Sequence, residues 1–80
     1  MNGTRLQLHY IREVYILQKY VQRMVQELED LNGKIKKADA ALSGNPFGMD
    51  NKSRELLSAQ LEIMRKYAEI LKERIDYEND

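Results

Sequence analysis

Leu57, Leu61, Met64, Ala68, Leu71 and Ile75 follow one another at alternating steps of four and three residues. That spacing is one face of a helix, and nothing else keeps such residues on a common side. A second set, Leu56, Ile63, Ile70 and Tyr77, repeats every seven residues on the neighbouring face of the same helix. A hairpin partner covers one face. The other needs a second copy or a partner helix, and this surplus constrains the chain more than any other feature.

The partner stripe lies upstream. Val14, Leu17, Val21, Met24, Leu28, Leu31, Ile35, Ala38 and Leu42 form a heptad that never loses phase. Gly33, in "LNGK", is the one residue that argues for a break, since glycine costs a helix interior ~1 kcal/mol relative to alanine. It falls on the outer face of the stripe, which favours one long helix, kinked at most, over two shorter ones. A true turn at Gly33 would shorten the first helix and leave the second stripe of helix two as it is. Thr4 followed by Gln7 fits a capping box at the start. "SGNPFGMDN" ends the stripe, with Gly44 suited to the left-handed C-terminal position and Pro46 unable to continue a helix. Asp50, Asn51 and Ser53 are all competent N-caps for the second helix.

The expected architecture is a single all-α domain over 1–80: helix about 4–43, turn 44–52, helix about 53–77. A connection this short makes the helices antiparallel neighbours. Their lengths differ, roughly 60 Å against roughly 37 Å at 1.5 Å per residue. The overhang is the N-terminal part of the first helix, where Leu6, Leu8, Tyr10, Ile11, Val14, Tyr15, Ile16, Leu17, Tyr20 and Val21 surround the cylinder. A helix apolar all round is a buried one, and soluble monomers avoid large apolar patches. The hairpin is therefore expected to assemble into an oligomeric bundle. Tyr10, Ile11, Leu56, Ile63, Ile70 and Tyr77 are the candidate interface. Chain length agrees, because small domains bury little of their surface and often rely on oligomerisation.

Several function classes find no support. There is no cysteine, so disulfides and thiolate metal sites are excluded. His9 is the lone histidine, in an outward register without a carboxylate pair, and reads as an ordinary surface residue. No set of side chains has metal-ligand spacing. The glycines of "SGNPFG" do not make a phosphate-cradling loop. No enzyme, metal or cofactor is expected. No apolar run approaches the ~18 residues of a membrane span, and "MNGTRLQLHY" lacks a signal pattern. A cytoplasmic protein is the expectation.

Thirteen basic and thirteen acidic side chains cancel, which argues against general DNA or RNA binding. The distribution is uneven. Residues 1–25 hold Arg5, Arg12, Lys19 and Arg23 against Glu13, while residues 69–80 hold Lys72 and Arg74 against Glu69, Glu73, Asp76, Glu78 and Asp80. The two ends would lie side by side in a hairpin. Arg5, Arg12 and Lys19 share a face interleaved with Tyr10, Tyr15 and Tyr20. Guanidinium forks suit phosphate and tyrosine rings stack on bases, although simple charge complementarity explains the same pattern. A second basic group, Lys34, Lys36, Lys37, Lys52 and Arg54, surrounds Phe47 at the turn. Arg74 draws attention as a guanidinium amid the second stripe, where it needs an acid or a ligand. The candidate ligand contacts are Arg12, Tyr15, Lys19, Arg54, Tyr67 and Arg74.

"FGMDNKSRELLSAQLEIMRKYAEILKERI" resembles the closing helix of small helical-hairpin proteins encoded by phages and prophages, at Phe47, Ser53, Leu56, Leu57, Gln60, Met64, Tyr67, Leu71, Arg74 and Ile75. The resemblance covers about the last third of the chain. A related hairpin occurs in phage sponges that sequester the cyclic-oligonucleotide signals of bacterial antiphage defence. It implies a compact oligomer with ligand pockets between subunits, no catalysis, and action in the host cytoplasm. None of the sponges' ligand-contacting residues is carried over. The expected function is a homo-oligomeric, non-enzymatic protein that sequesters a small anionic nucleotide. The competing expectation is an adaptor module that binds a host or phage protein through its second apolar face.

Overall fold

The computed structural model describes the backbone of residues 2–79 and the side chains of residues 16 and 18–79. Two helices account for almost all of it: α1 (Asn2–Leu42) and α2 (Asn51–Asn79), packed as an antiparallel hairpin. The molecule is a rod of 70 × 17 × 16 Å.

α1 begins at Asn2, ahead of Thr4, so the expected cap position is already inside the helix. It passes through Gly33 without a break. The reason is visible around that residue: a Cβ there would meet nothing within 4 Å, and the residues on both sides of it stay in phase on the seam. Continuity of the packed stripe outweighs the local propensity of one glycine.

The turn is built from side-chain chemistry. Ser43 N donates to Asp39 O at 2.9 Å, the last helical bond of α1. Gly44 then takes φ 83°, the left-handed conformation that lacks a Cβ penalty. Asn45 follows at φ 48°, which asparagine tolerates better than other side chains. Its side chain grips the far end of the loop, since Nδ2 donates to Met49 O and Oδ1 accepts from Met49 N, both at 2.9 Å. Gly48 N closes onto Asn45 O at 3.1 Å with Pro46 and Phe47 between. Among the three competent caps, Asp50 is the one used: its Oδ1 accepts from Ser53 N at 2.8 Å, and its carbonyl accepts from Arg54 N at 3.0 Å. α2 therefore starts at Asn51.

The seam follows the two stripes. Met24 and Ala38 from α1 and Leu61, Leu71 and Ile75 from α2 are buried. Val21 and Leu28 pack against the Met24–Leu71–Ile75 cluster. Leu57, Met64 and Ala68 are half-buried along the same line. Val14 and Leu17, the first positions of the upstream stripe, lie outside the described side chains. α1 has 41 residues and α2 29, so one helix outruns the other by twelve.

Two substitutions at opposite ends of this packing should move stability in opposite directions. Leu71 is 1% exposed. Leu71→Ala should cost about 2–5 kcal/mol through lost burial and the cavity left behind. Gly33→Ala meets no neighbour and should stabilise by up to ~1 kcal/mol. Urea unfolding followed by circular dichroism reads both.

Candidate functional site

The hairpin has two flanks, and they differ in chemistry. Tyr20, Glu27 and Lys34 each precede a seam residue of α1, while Gln60, Tyr67 and Arg74 each precede one of α2. In an antiparallel pair these six residues line the same edge. The other edge is formed by Val25, Asn32 and Asp39 with Ser58, Arg65 and Lys72.

The first edge is an aromatic and cationic strip. The Tyr67 hydroxyl donates to a Glu27 carboxylate oxygen, and the Arg74 guanidinium donates to the Tyr20 hydroxyl. Arg74 also stands over the Tyr20 ring, 5.8 Å from its centroid, within cation–π range. Tyr67, Arg23, Gln26, Glu27, Asp30, Leu31 and Lys34 line a groove of about 500 Å³. A second groove of about 500 Å³ continues from it towards the turn, through Leu31, Lys34, Ala38, Leu57, Gln60 and Met64. The two share Leu31 and Lys34 and so make one open trough. The opposite edge holds an ion pair instead, Arg65 to Asp39 at 3.3 Å, with a smaller groove of about 370 Å³ beside it.

Exposed apolar side chains follow the same division. Ile16, Tyr20, Leu56, Ile63, Tyr67, Ile70 and Tyr77 all lie on or next to the aromatic flank, with Ile63 71% and Tyr77 79% exposed. Val25 lies on the other flank, and Phe47 in the turn. The second stripe of α2 is therefore uncovered in a single hairpin, and its neighbour across the groove is polar.

The candidate contacts disperse in part. Tyr67 and Arg74 fall on one edge, two helical turns apart. Arg54 sits in the first turn of α2, 20 residues and about 30 Å along the helix from Arg74, and does not join them. Lys19 is exposed on the outer face of α1, away from the trough. Arg12 and Tyr15 lie outside the described side chains, as do Tyr10, Ile11 and His9. Arg74 stands beside the second stripe, and its partner is a phenol on α1 where an acid or a ligand was expected. Glu27 was missed, and Arg23 and Lys34 were placed in basic groups but not among the candidate contacts. The signal that locates Glu27 and Lys34 is their seven-residue spacing with Tyr20, one place ahead of Val21, Leu28 and Ile35.

A family model described as Sequestin matches residues 18–77. The chain belongs to the Sequestin family. The Sequestin match takes in the seam, the turn and the whole aromatic flank from Tyr20 to Tyr77, and leaves out the first 17 residues. No curated protein and no solved structure matches the chain. Among the described residues, no group of three or more His, Asp or Glu could hold a metal ion, and no helix is long and apolar enough to cross a membrane.

Electrostatics in the groove are balanced. Arg23 and Lys34 face Glu27 and Asp30. The hydrogen bond to Glu27, reinforced by partial desolvation and the carboxylate's charge, raises the pKa of Tyr67 above the ordinary phenol value, against a smaller opposing effect of Arg74. A raised phenol pKa means that the protonated form is favoured in the fold. The contact's contribution is therefore present below the ordinary tyrosine pKa and lost as pH rises through the raised one. Ultraviolet difference titration of wild type against Tyr67→Phe isolates this group. In Glu27→Gln its midpoint should fall towards the ordinary value; an unchanged midpoint would remove Glu27 as the cause.

Proposed function

We propose that this chain is a non-enzymatic, phage-encoded oligomeric protein that sequesters a small anionic ligand of the cyclic-oligonucleotide signal class, in the cytoplasm of the host. One observation carries the reading. The trough on the aromatic flank sets the Tyr67 ring, able to stack on a base, beside Arg23 and Lys34, able to hold phosphate, and the Arg74–Tyr20 pair lies further along the same edge. Membership of a family named for sequestration supports a binding role over a catalytic one. The open, exposed form of the trough supports it too, because catalysis needs groups held in a water-excluded site.

Tyr67 and Arg74 are the contacts of choice: Tyr67 for stacking, Arg74 for phosphate. Lys19, Arg54, Arg12 and Tyr15 stand as further candidates, with the last two on the part of α1 that lies outside the family match. Leu56, Ile63, Ile70 and Tyr77, with Tyr10 and Ile11, are proposed as the surface between subunits.

A second reading rests on the same uncovered stripe. A helix face of this kind also suits insertion into the groove of a host or phage protein, which would make the chain an adaptor.

Thermal unfolding with a panel of cyclic di-, tri- and tetranucleotides and linear nucleotides separates the two. A ligand at 100 times its Kd stabilises by about 2.7 kcal/mol, which is a shift of several degrees for a chain this small. Arg74→Ala should weaken that binding by about tenfold or more while leaving the oligomer intact, since the Arg74 side chain is exposed and its bond to Tyr20 is an exposed contact outside the buried core. Indifference to the whole panel would overturn the sequestering reading and leave the adaptor.

A further inference from the structure

The charges in the groove beside Tyr67 are partnered in an uncommon way. Arg23 and Lys34 line it together with Glu27 and Asp30. Arg23 stands four residues before Glu27, and Asp30 four before Lys34, the spacing at which side chains of one helix form ion pairs. Among the described residues neither ion pair forms. Each carboxylate is held by a neutral donor instead. The Tyr67 hydroxyl donates to Glu27 Oε1 across the helices, and the Gln26 amide donates to Asp30 Oδ1 at 3.1 Å along α1. The second oxygen of Glu27 accepts no hydrogen bond from a described residue.

What the groove can recognise follows from what this leaves over. A bare anion gains little there, since two cations face two carboxylates. The next cations lie beyond it: Lys37 in the groove towards the turn, and Arg74 over the Tyr20 ring. An ionised carboxylate accepts hydrogen bonds and cannot donate one. Glu27 therefore disfavours phosphate oxygens, carbonyls and bare ring nitrogens, and favours an N–H. Its bond to Tyr67, the same contact that raises that phenol's pKa, fixes it at the edge of the ring on which a base would stack. Adenine, guanine and cytosine each carry an exocyclic amine on their edge.

We propose, on the sequestering reading of the trough, that Glu27 sets its base specificity: the second carboxylate oxygen accepts from the exocyclic amine of a base lying on Tyr67, while Arg23 and Lys34 hold the phosphates. The two cations flank Glu27 along α1, about 6 Å away on one side and about 10 Å on the other. The ligand class is then a nucleotide with an amine-bearing base, and a base with hydrogen in place of the amine is rejected. Such discrimination is the kind a polar site achieves, because the analogue leaves the acceptor without a donor. Asp30 carries the same charge in the same groove but is tied to Gln26 of its own helix, not to the ring.

That difference makes Asp30 the control. Isothermal titration of the full chain would use two pairs of nucleoside 5′-diphosphates, adenosine with purine riboside and guanosine with inosine, whose members differ only in the amine. In at least one pair the amine-bearing member should bind about tenfold more tightly, the effect of one hydrogen bond to a charged group. Glu27→Gln should bring the two members within about threefold, because a neutral acceptor makes the weaker bond. Glu27 is exposed and glutamine still accepts from Tyr67, so the hairpin persists. Asp30→Asn should keep the preference. Both variants should bind inorganic pyrophosphate more tightly than wild type, since each removes one negative charge. Wild type that binds both members of each pair equally would overturn the specificity and leave the sequestering reading standing. So would a preference that survives in Glu27→Gln or disappears equally in Asp30→Asn. No binding of any of the four, with a flat thermal panel, would overturn the sequestering reading itself and the specificity with it.

Discussion

Everything in this molecule depends on one strip of interhelical packing. α1 and α2 meet along a four–three seam whose buried part, among the described residues, is Met24, Ala38, Leu61, Leu71 and Ile75. A two-helix hairpin has a single such seam. α2 carries two apolar stripes, so satisfying the first necessarily leaves the second in water. The exposed face is thus a consequence of the seam, as much as a feature of its own. Small cores leave little margin for such exposure, and a second apolar contact is the physically economical way to remove it.

The seam also sorts the polar groups. Residues one place to either side of it become two edges with opposite character. On one edge an exposed ion pair, Arg65 with Asp39, contributes at most about 1 kcal/mol. On the other, phenols bridge the helices, Tyr67 to Glu27 and Tyr20 to Arg74. These contacts are exposed and add little to stability. Their effect is orientation: one holds the Tyr67 ring at the trough, and the other holds Arg74 over the Tyr20 ring further along the edge. A side chain already held in place loses less freedom when a ligand arrives. The two edges thereby differ in chemistry, one aromatic and one ionic.

The family match follows this division closely. It begins just before Tyr20 and ends at Tyr77, the span over which α1 and α2 are paired and the aromatic edge exists. The N-terminal part of α1, rich in apolar residues and carrying Arg5 and Arg12, falls outside it. The described seam and its edges lie within the residues that match Sequestin, and the first 17 residues lie outside them.

The all-helical hairpin, the seam residues, the turn at Gly44 and the uncovered second stripe of α2 were all legible without a structure. Each is a short-range pattern: periodicity marks a face, and glycine, proline and capping residues mark an end. The long run of α1 through Gly33 was readable for the same reason, because the heptad keeps its phase there. What lies across the seam was not. That Arg74 meets Tyr20 and that Tyr67 meets Glu27 depend on the relative axial shift of the two helices. The Asn45–Met49 clasp and the fit of Met24 against Leu71 and Ile75 set that shift. Sequence by itself determined which faces must be buried, since that follows from the 3.6-residue turn. Only the tertiary structure decided which polar groups come together, since a pairing across helices is a property of register that no single helix contains.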